Sequence, residues 1–121
     1  MGNVDASLGQ LLKVDGCLVV ALVDYSSGMM LGSAGDTTIL SLDVAAAGNT
    51  EVVRAKMRTL KGLGIQEAIE DILITLESQY HLIRLVDSKP GLFLYVVLSK
   101  DRSNLAMARY KLAEVEKLIE L

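Results

Sequence analysis

Residues 15–35 read DGCLVVALVDYSSGMMLGSAG. Within this stretch, residues 17–23 are apolar, rich in β-branched side chains and too few to form a stable helix. Residues 24–28 favour a turn, and a second short apolar segment follows at 29–33. The pattern predicts a β-hairpin. A strand with one face in water alternates apolar and polar residues, and the first strand does not, so both faces of the sheet must be covered.

Working outward from the hairpin, apolar periodicity and turn residues predict the remaining elements. They are a helix at 3–13 capped by Asn3 or Asp5, a helix at 41–60, strands at 68–76, 79–86 and 92–98, and a final helix capped by Asp101 and Ser103. The sequence therefore predicts an α+β fold of order α-β-β-α-β-β-β-α. Helices sandwich a five-stranded, mainly antiparallel sheet. Residues 1–121 are expected to form one domain.

Composition limits the classes of function. The chain is 51% hydrophobic with a mean hydropathy of +0.40, but it has no apolar run of the ~20 residues that cross a bilayer, so we expect no membrane insertion. A net charge of −3 and a pI near 5.1 argue against nucleic-acid binding, which needs a basic surface. A single cysteine and no secretory signal favour a cytoplasmic protein. The apolar excess favours a well-filled core together with a buried subunit interface.

Groups that carry catalysis are scarce. No phosphate-binding GxxxxGK[ST] loop is present, and His81 is the only histidine, so a transition-metal site has no second imidazole. Cys17 lies in an apolar strand, where a thiol is an inert hydrophobe. We therefore predict no catalytic residues, no metal and no cofactor, and a chain that is not an enzyme.

The long helix has two unusual features. The side chains predicted to face inward are Leu42, Ala45, Ala46, Asn49, Val53, Lys56, Met57 and Leu60. In the middle of the helix, Ala45-Ala46-Ala47-Gly48 leaves only small side chains on every side. These small residues either let the helix lie flat on its own sheet or allow close contact with a second helix. Basic residues also recur at Arg54, Arg58 and Lys61, with Glu51 and Asp43 upstream. They form either a solvated face near the helix C-terminus or a docking surface for an acidic partner.

The order of these features resembles the Roadblock (dynein light-chain) family, in particular its bacterial and archaeal members. The resemblance covers nearly the whole chain. It depends on Asp15-Gly16 before the long apolar strand, Asp24 and Gly28 in the hairpin loop, the small-residue helix at 42–60, the strand at 70–76, the turn at 87–91 and the closing helix. The sequence departs from the family in its longer hairpin loop at 25–27.

The resemblance implies a homodimer in which the long helices pack antiparallel and the 68–76 edge strands pair with each other. Pairing would also cover an edge strand that otherwise invites aggregation. Residues expected at the dimer interface are Ala46, Ala47, Gly48, Val52, Ile72, Leu73 and Ile74.

The resemblance further implies a partner, a small Ras-like GTPase lying across the paired helices. Some bacterial members accelerate its GTP hydrolysis by repositioning the GTPase's own residues; insertion of Arg54 or Arg58 is the alternative. Residues expected to bind the partner are Asp43, Ala47, Glu51, Arg54, Arg58 and Lys61. Two other functions stay open: a dimerisation adaptor that recruits a motor or sensor-kinase complex without a GTPase, and a small-ligand sensory domain.

Overall fold

The computed structural model describes residues 2–121; Met1, where the predicted domain begins, lies outside the described residues. The predicted fold class and element order are confirmed. The elements are α1 (Val4–Leu12), β1 (Cys17–Asp24), β2 (Met29–Gly35), α2 (Leu42–Gly62), β3 (Asp71–Thr75), β4 (Gln79–Leu85), β5 (Leu92–Ser99) and α3 (Leu105–Glu116).

The five strands form one sheet in the order β2-β1-β5-β4-β3, and every neighbouring pair is antiparallel. The two strands without alternation, β1 and β5, are adjacent at its centre. All side chains of 19–23 and 92–98 are buried. The prediction that both faces of the sheet are covered is confirmed. These two strands lack alternation because they lie at the centre of the sheet, between two helical layers.

The two layers enclose separate cores. Helices α1 and α3 cover one sheet face, where Leu8, Leu11 and Leu112 pack against Leu22 and neighbouring strand residues. Helix α2 covers the other face, where Leu42, Ala46 and Val53 pack against Val23, Phe93 and Tyr95. Gly35, with φ +101, ends β2; a Cβ there would lie 2.5 Å from the Leu18 carbonyl oxygen, so the close backbone approach requires glycine.

Several predicted details were wrong. Strand β3 begins at Asp71 instead of residue 68, because residues 65–70 form no regular secondary structure and only the Glu70 carbonyl, which accepts from the Leu85 amide at 3.1 Å, bonds to β4 from this segment. The cap of α3 is Asn104, whose Oδ1 accepts from the Met107 amide at 3.0 Å, and not Asp101 or Ser103.

At the other terminus of the chain, Asn3 occupies the N-cap position of α1, but its side chain does not cap the helix. It donates to the Leu118 carbonyl and accepts from the Glu120 amide at 2.7 Å, so it ties the two ends of the chain together. Asp5 lies inside the first turn of α1 and does not cap it.

The inward stripe of α2 also differs from the prediction. Lys56 is exposed, whereas Thr50 is buried and its hydroxyl donates to the Ala46 carbonyl at 2.7 Å. A threonine can be buried in a helix because this bond satisfies its hydroxyl within the preceding turn. Among residues 2–121, no helix combines the length and the hydropathy that crossing a membrane requires.

Candidate functional site, two flanks of one helix and an open sheet edge

The outer side of α2 has two flanks with different neighbours. One flank borders β4 and β5, and between them lies an open groove of about 400 Å³. We call this the α2 groove. It is lined by Leu40, Ser41, Val44, Ala45, Gly48, Asn49, Val52, His81 and Tyr95, none of them a carboxylate, lysine or arginine. Val44 is 72% exposed, and a side chain added at Gly48 would meet no atom within 4 Å. The groove is therefore an unfilled, largely apolar surface.

The floor of the α2 groove carries a hydrogen-bonded pair. The Tyr95 hydroxyl and His81 Nδ1 are 2.9 Å apart, and His81 Nε2 is 2.9 Å from the Gln79 side-chain oxygen. Since the amide oxygen can only accept, Nε2–H donates to it, and Nδ1 of the neutral ring accepts a hydrogen bond from the Tyr95 hydroxyl. Burial lowers the pKa of His81 and raises the pKa of Tyr95, so both groups favour their uncharged forms.

Acid should therefore weaken the fold. Because the pKa of His81 is lower in the folded protein than its ordinary 6.5, the unfolded chain takes up a proton that the folded protein does not. We expect the free energy of unfolding to fall as the pH drops through ~6.5. Urea unfolding at about pH 7.5 and about pH 5.5 measures this. His81→Gln, which does not titrate, should lose less stability over the same interval. An equal loss in both proteins would contradict the assignment.

Asp24 and Asp36 do not account for that loss of stability. Hydrogen bonds from Ser26 lower the pKa of Asp24, and bonds from Thr38 lower the pKa of Asp36, both from an ordinary value of 3.8. Their contributions to stability are present above that value and are lost only at lower pH. These two carboxylates therefore add nothing to the change between about pH 7.5 and about pH 5.5, and the comparison with His81→Gln assigns that change to the imidazole.

The opposite flank of α2 faces the β1–β2 hairpin, and we call it the hairpin flank. Arg54 Nη2 donates to the Ser26 carbonyl at 2.7 Å, and its Nη1 is 3.8 Å from a Glu51 carboxylate oxygen. A Cβ on Gly28 would lie 3.8 Å from Ala47 Cα. The long hairpin loop, whose role the sequence left open, is thus held against the helix. Arg58 and Lys61 continue this flank toward the C-terminus and are exposed.

Removing the hydrogen bond from Arg54 to Ser26 should make the hairpin loop less ordered. We expect Arg54→Met to lower the free energy of unfolding by about 0.5–1.5 kcal/mol and to speed hydrogen exchange at the amides of residues 26–29. Arg58→Met, one turn further on and without a bond to the loop, is the matched control, and its effect should stay within about 0.5 kcal/mol. Equal exchange rates in the two variants would mean that Arg54 does not order the loop.

The two edges of the sheet are unlike. Strand β3 is one edge, and all five of its residues pair with β4 in unbroken register. Strand β2 is the other edge, where the register shifts between Leu22 and Val23 and leaves Leu31 unpaired. A bulge of this kind protects an edge from pairing with another strand. Within residues 2–121, β3 has neither a bulge nor a strand on its outer side, so it is the edge suited to pairing.

The structure separates the residues that the sequence analysis grouped. Gly48 and Val52 line the α2 groove, while Ala47, Glu51 and Arg54 lie on the hairpin flank. Asp43 is exposed in the first turn of α2. Ala46 is 2% exposed and packs in the chain's own core, so it offers no surface to a partner.

The predicted residues of β3 are also divided. Ile72 and Ile74 lie opposite Ile83 and His81, on the α2 face, whereas Leu73 lies opposite Leu82 on the other face. Sequence reasoning missed the pair of His81 and Tyr95. A tyrosine inside a continuous apolar strand is a usable signal, because a buried hydroxyl requires a partner.

Reactive groups are few in the described part of the chain. Burial raises the pKa of the Cys17 thiol to about 11, so the nucleophilic thiolate is disfavoured. Residues 2–121 contain no group of three His, Cys, Asp or Glu side chains arranged to hold a metal ion.

Solved structures provide the comparison for this geometry. MglB from Myxococcus xanthus aligns with a TM-score of 0.84 and 21% identity over 94% of this chain and 82% of that one. A Roadblock/LC7 domain from Streptomyces avermitilis aligns at 0.82 and 18%, over 94% and 92%. The gliding protein MglB from Thermus thermophilus aligns at 0.80 and 16%, over 93% and 82%. No protein-family model and no curated protein matches the sequence. The fold is that of Roadblock/LC7 domains, as the sequence resemblance implied.

Proposed function

We propose that this chain, which has the Roadblock/LC7 fold, is a bacterial-type Roadblock-family domain over residues 1–121 and works as a homodimer. In this proposal the dimer binds a small Ras-like GTPase and regulates or anchors it, without catalytic groups of its own. The likeness to MglB and to a Roadblock/LC7 domain supports the fold part of the proposal. The surfaces of this chain support the rest.

One observation carries the dimer: the open, uncharged α2 groove lies on the same sheet face as the isoleucines of the unprotected β3 edge. A second copy can fill the groove with its own α2 and add its β3 to this edge. This contact would bury apolar side chains of the α2 groove and of β3 in both copies. The main-chain N–H and C=O groups of the two β3 edges would also gain hydrogen-bond partners. The small side chains of the groove lining, Ala45 and Gly48, permit close approach of the two helices.

The hairpin flank is the proposed binding surface for the GTPase. In a dimer assembled through the α2 groove, this flank stays outside the contact, because it lies on the other side of the helix. Arg58 and Lys61 offer positive charge there, and the bond from Arg54 holds the hairpin loop in a fixed position beside them. Because Arg54 is engaged within the chain, we propose that any acceleration of GTP hydrolysis acts through the GTPase's own residues and not through an inserted Arg54.

Light scattering and a capture experiment test the two parts separately. We expect the purified chain to have twice its 13.0 kDa mass in solution. Immobilised chain should capture a small Ras-like GTPase, from a panel loaded with GDP or with a non-hydrolysable GTP analogue, in at least one nucleotide state. A monomer at high concentration contradicts the dimer. A dimer that captures no GTPase in either state contradicts the GTPase proposal and favours the adaptor function.

A further inference from the structure

His81 is the only histidine of the chain, and it lies where the proposed dimer would close. On β4 it stands opposite Ile74 of the β3 edge strand, and its side chain lines the α2 groove. The ring therefore adjoins both surfaces that a second copy would cover, the groove and the strand edge. In the single chain His81 is only half-buried, so part of it remains in contact with solvent.

The groups packed around the His81 ring carry no charge near neutral pH. On β5, Tyr95 meets the ring edge-on, with ring centroids 5.5 Å apart, and Val97 lies opposite His81 in the ladder. Along β4 the neighbours on the same face are Gln79 and Ile83. The residues that α2 and the segment before it contribute to the groove are Leu40, Ser41, Val44, Ala45, Gly48, Asn49 and Val52. Tyr95 is thus the only other titratable group in the lining, and burial raises its pKa, which keeps it uncharged.

The charged side chains nearest to the groove lie outside its lining. On α2 and in the β3–β4 turn they are Asp43, Glu51, Lys56 and Glu77, and all four are exposed. Glu51 is 3.8 Å from Arg54 on the hairpin flank. Lys100, which follows β5, lies over the ring of Tyr80 on the other face of the sheet. Within residues 2–121, His81 forms no ion pair with a carboxylate.

We propose that protonation of His81 separates the two copies of the homodimer, so that the α2 groove holds a second copy near neutral pH and releases it in mild acid. This switch rests on the proposed function, because it needs a dimer that closes over the groove. A two-fold dimer brings the same surface of each copy into contact, so the second copy adds the same uncharged lining. A charged imidazole in the dimer would therefore lose its contact with water and gain no carboxylate, which makes its burial unfavourable.

The neutral ring, in contrast, fits a covered groove because its hydrogen bonds are already complete. Nε2–H donates to the Gln79 side-chain oxygen, and Nδ1 accepts from the Tyr95 hydroxyl, each at 2.9 Å. A second copy can cover this ring without leaving either nitrogen unpaired. A proton added at Nδ1 removes the acceptor and places a positive charge between the two copies. Only the separated chain offers that charge access to solvent.

Sedimentation equilibrium over a concentration series, at about pH 7.5 and about pH 5.5, tests the switch. Each dimer contains two His81 rings. A ring that titrates at the ordinary 6.5 in the single chain and not in the dimer contributes about tenfold over this interval, or about 100-fold for both. Because burial already lowers the pKa of His81 in the single chain, we expect the dissociation constant to rise by about tenfold in total. Circular dichroism should stay unchanged, and the dimer should return at pH 7.5.

The outcomes separate this switch from the dimer on which it depends. A monomer at both pH values would contradict the proposed dimer, and the switch with it. A dimer whose affinity does not change with pH overturns the proton switch alone. A dimer that becomes tighter in acid also overturns the switch, because the second copy would then bring a carboxylate to His81.

Two variants assign the effect to this imidazole. His81→Gln removes the titrating group and keeps a side chain that both donates and accepts, so its dissociation constant should change by less than about twofold between the two pH values. His81→Gln combined with Gln10→His is the matched control. It restores one histidine per chain at an exposed position of α1, in the helical layer on the other sheet face, and should stay insensitive to acid. A tenfold rise in either variant overturns the assignment to the groove.

A second measurement on the unaltered chain keeps the test decisive if His81→Gln fails to fold or to dimerise. Since the untagged chain has one histidine, the nuclear magnetic resonance signals of its ring follow a single imidazole. The pH at which half of the rings are protonated should fall as the protein concentration rises, because a larger share of the chains is then dimeric. A midpoint that does not depend on concentration overturns the switch.

Discussion

Gly48→Glu is expected to convert the proposed homodimer into a monomer. Gly48 lines the α2 groove, and the space around it is open, so the new side chain causes no clash inside the chain itself. In the dimer, however, the carboxylate would be buried in a groove that offers no cation. Burial of an unpaired charge costs several kcal/mol, so we expect the dimer dissociation constant to rise by about 100-fold or more. Sedimentation equilibrium or light scattering over a concentration series measures the change.

The control for this variant adds the same charge to the other helical layer. Ala106 is exposed near the start of α3, on the opposite face of the sheet from α2. Ala106→Glu should leave both mass and circular dichroism unchanged, because a carboxylate in the first turn of a helix is tolerated. Gly48→Glu must also keep its helical spectrum. If it stays dimeric while folded, the partner does not occupy the α2 groove.

The second large effect is expected on partner binding. Reversal of both exposed cations of the hairpin flank, Arg58→Glu with Lys61→Glu, should weaken capture of the GTPase by about 10- to 100-fold and reduce the dependence of binding on salt. These residues are preferred to Arg54, whose removal would also release the hairpin loop. The affinity of the captured GTPase at two ionic strengths, measured by surface-based binding, gives both quantities.

A variant with the same change in net charge accompanies this experiment. Lys13→Glu with Lys111→Glu reverses two lysines that reach the surface on the α1 and α3 layer, on the other side of the sheet from the hairpin flank. We expect its affinity to stay within about twofold of the unaltered chain, since only a general effect of net charge remains. If both double variants lose affinity equally, the hairpin flank does not form the contact. If neither does, Arg58 and Lys61 face only solvent.

Local patterns in the sequence were sufficient for the architecture. The unbroken apolar runs at 17–23 and 92–98 predicted strands covered on both faces, and these are the adjacent central strands of the sheet. Apolar spacing predicted the existence of the three helices and, on α2, three of the four buried residues, with Thr50 missed. The ends of elements were less accurate, because a cap is chosen by competition among neighbouring polar residues. Asn104 caps α3 although Asp101 and Ser103 stand close by.

The long-range polar contacts of this chain could not be predicted from the sequence. Arg54 meets Ser26 across 28 residues, Arg84 meets Glu116 across 32, and Arg109 meets Asp71 across 38. Nothing in the local pattern of any of these segments specifies its partner. The burial of Glu116 is the clearest example, since a glutamate outside the apolar stripe of a terminal helix is usually solvated.

By itself, then, the sequence determined the strands, the helices and their layers, because hydrophobic periodicity acts over a few neighbouring residues and is expressed directly in a strand or a helix. Only the tertiary structure decided which flank of α2 faces the groove and which faces the hairpin, which sheet edge is free of a bulge, and which distant charged side chains pair, as Arg84 and Glu116 do. Those features depend on the register and the approach of segments that are distant along the chain.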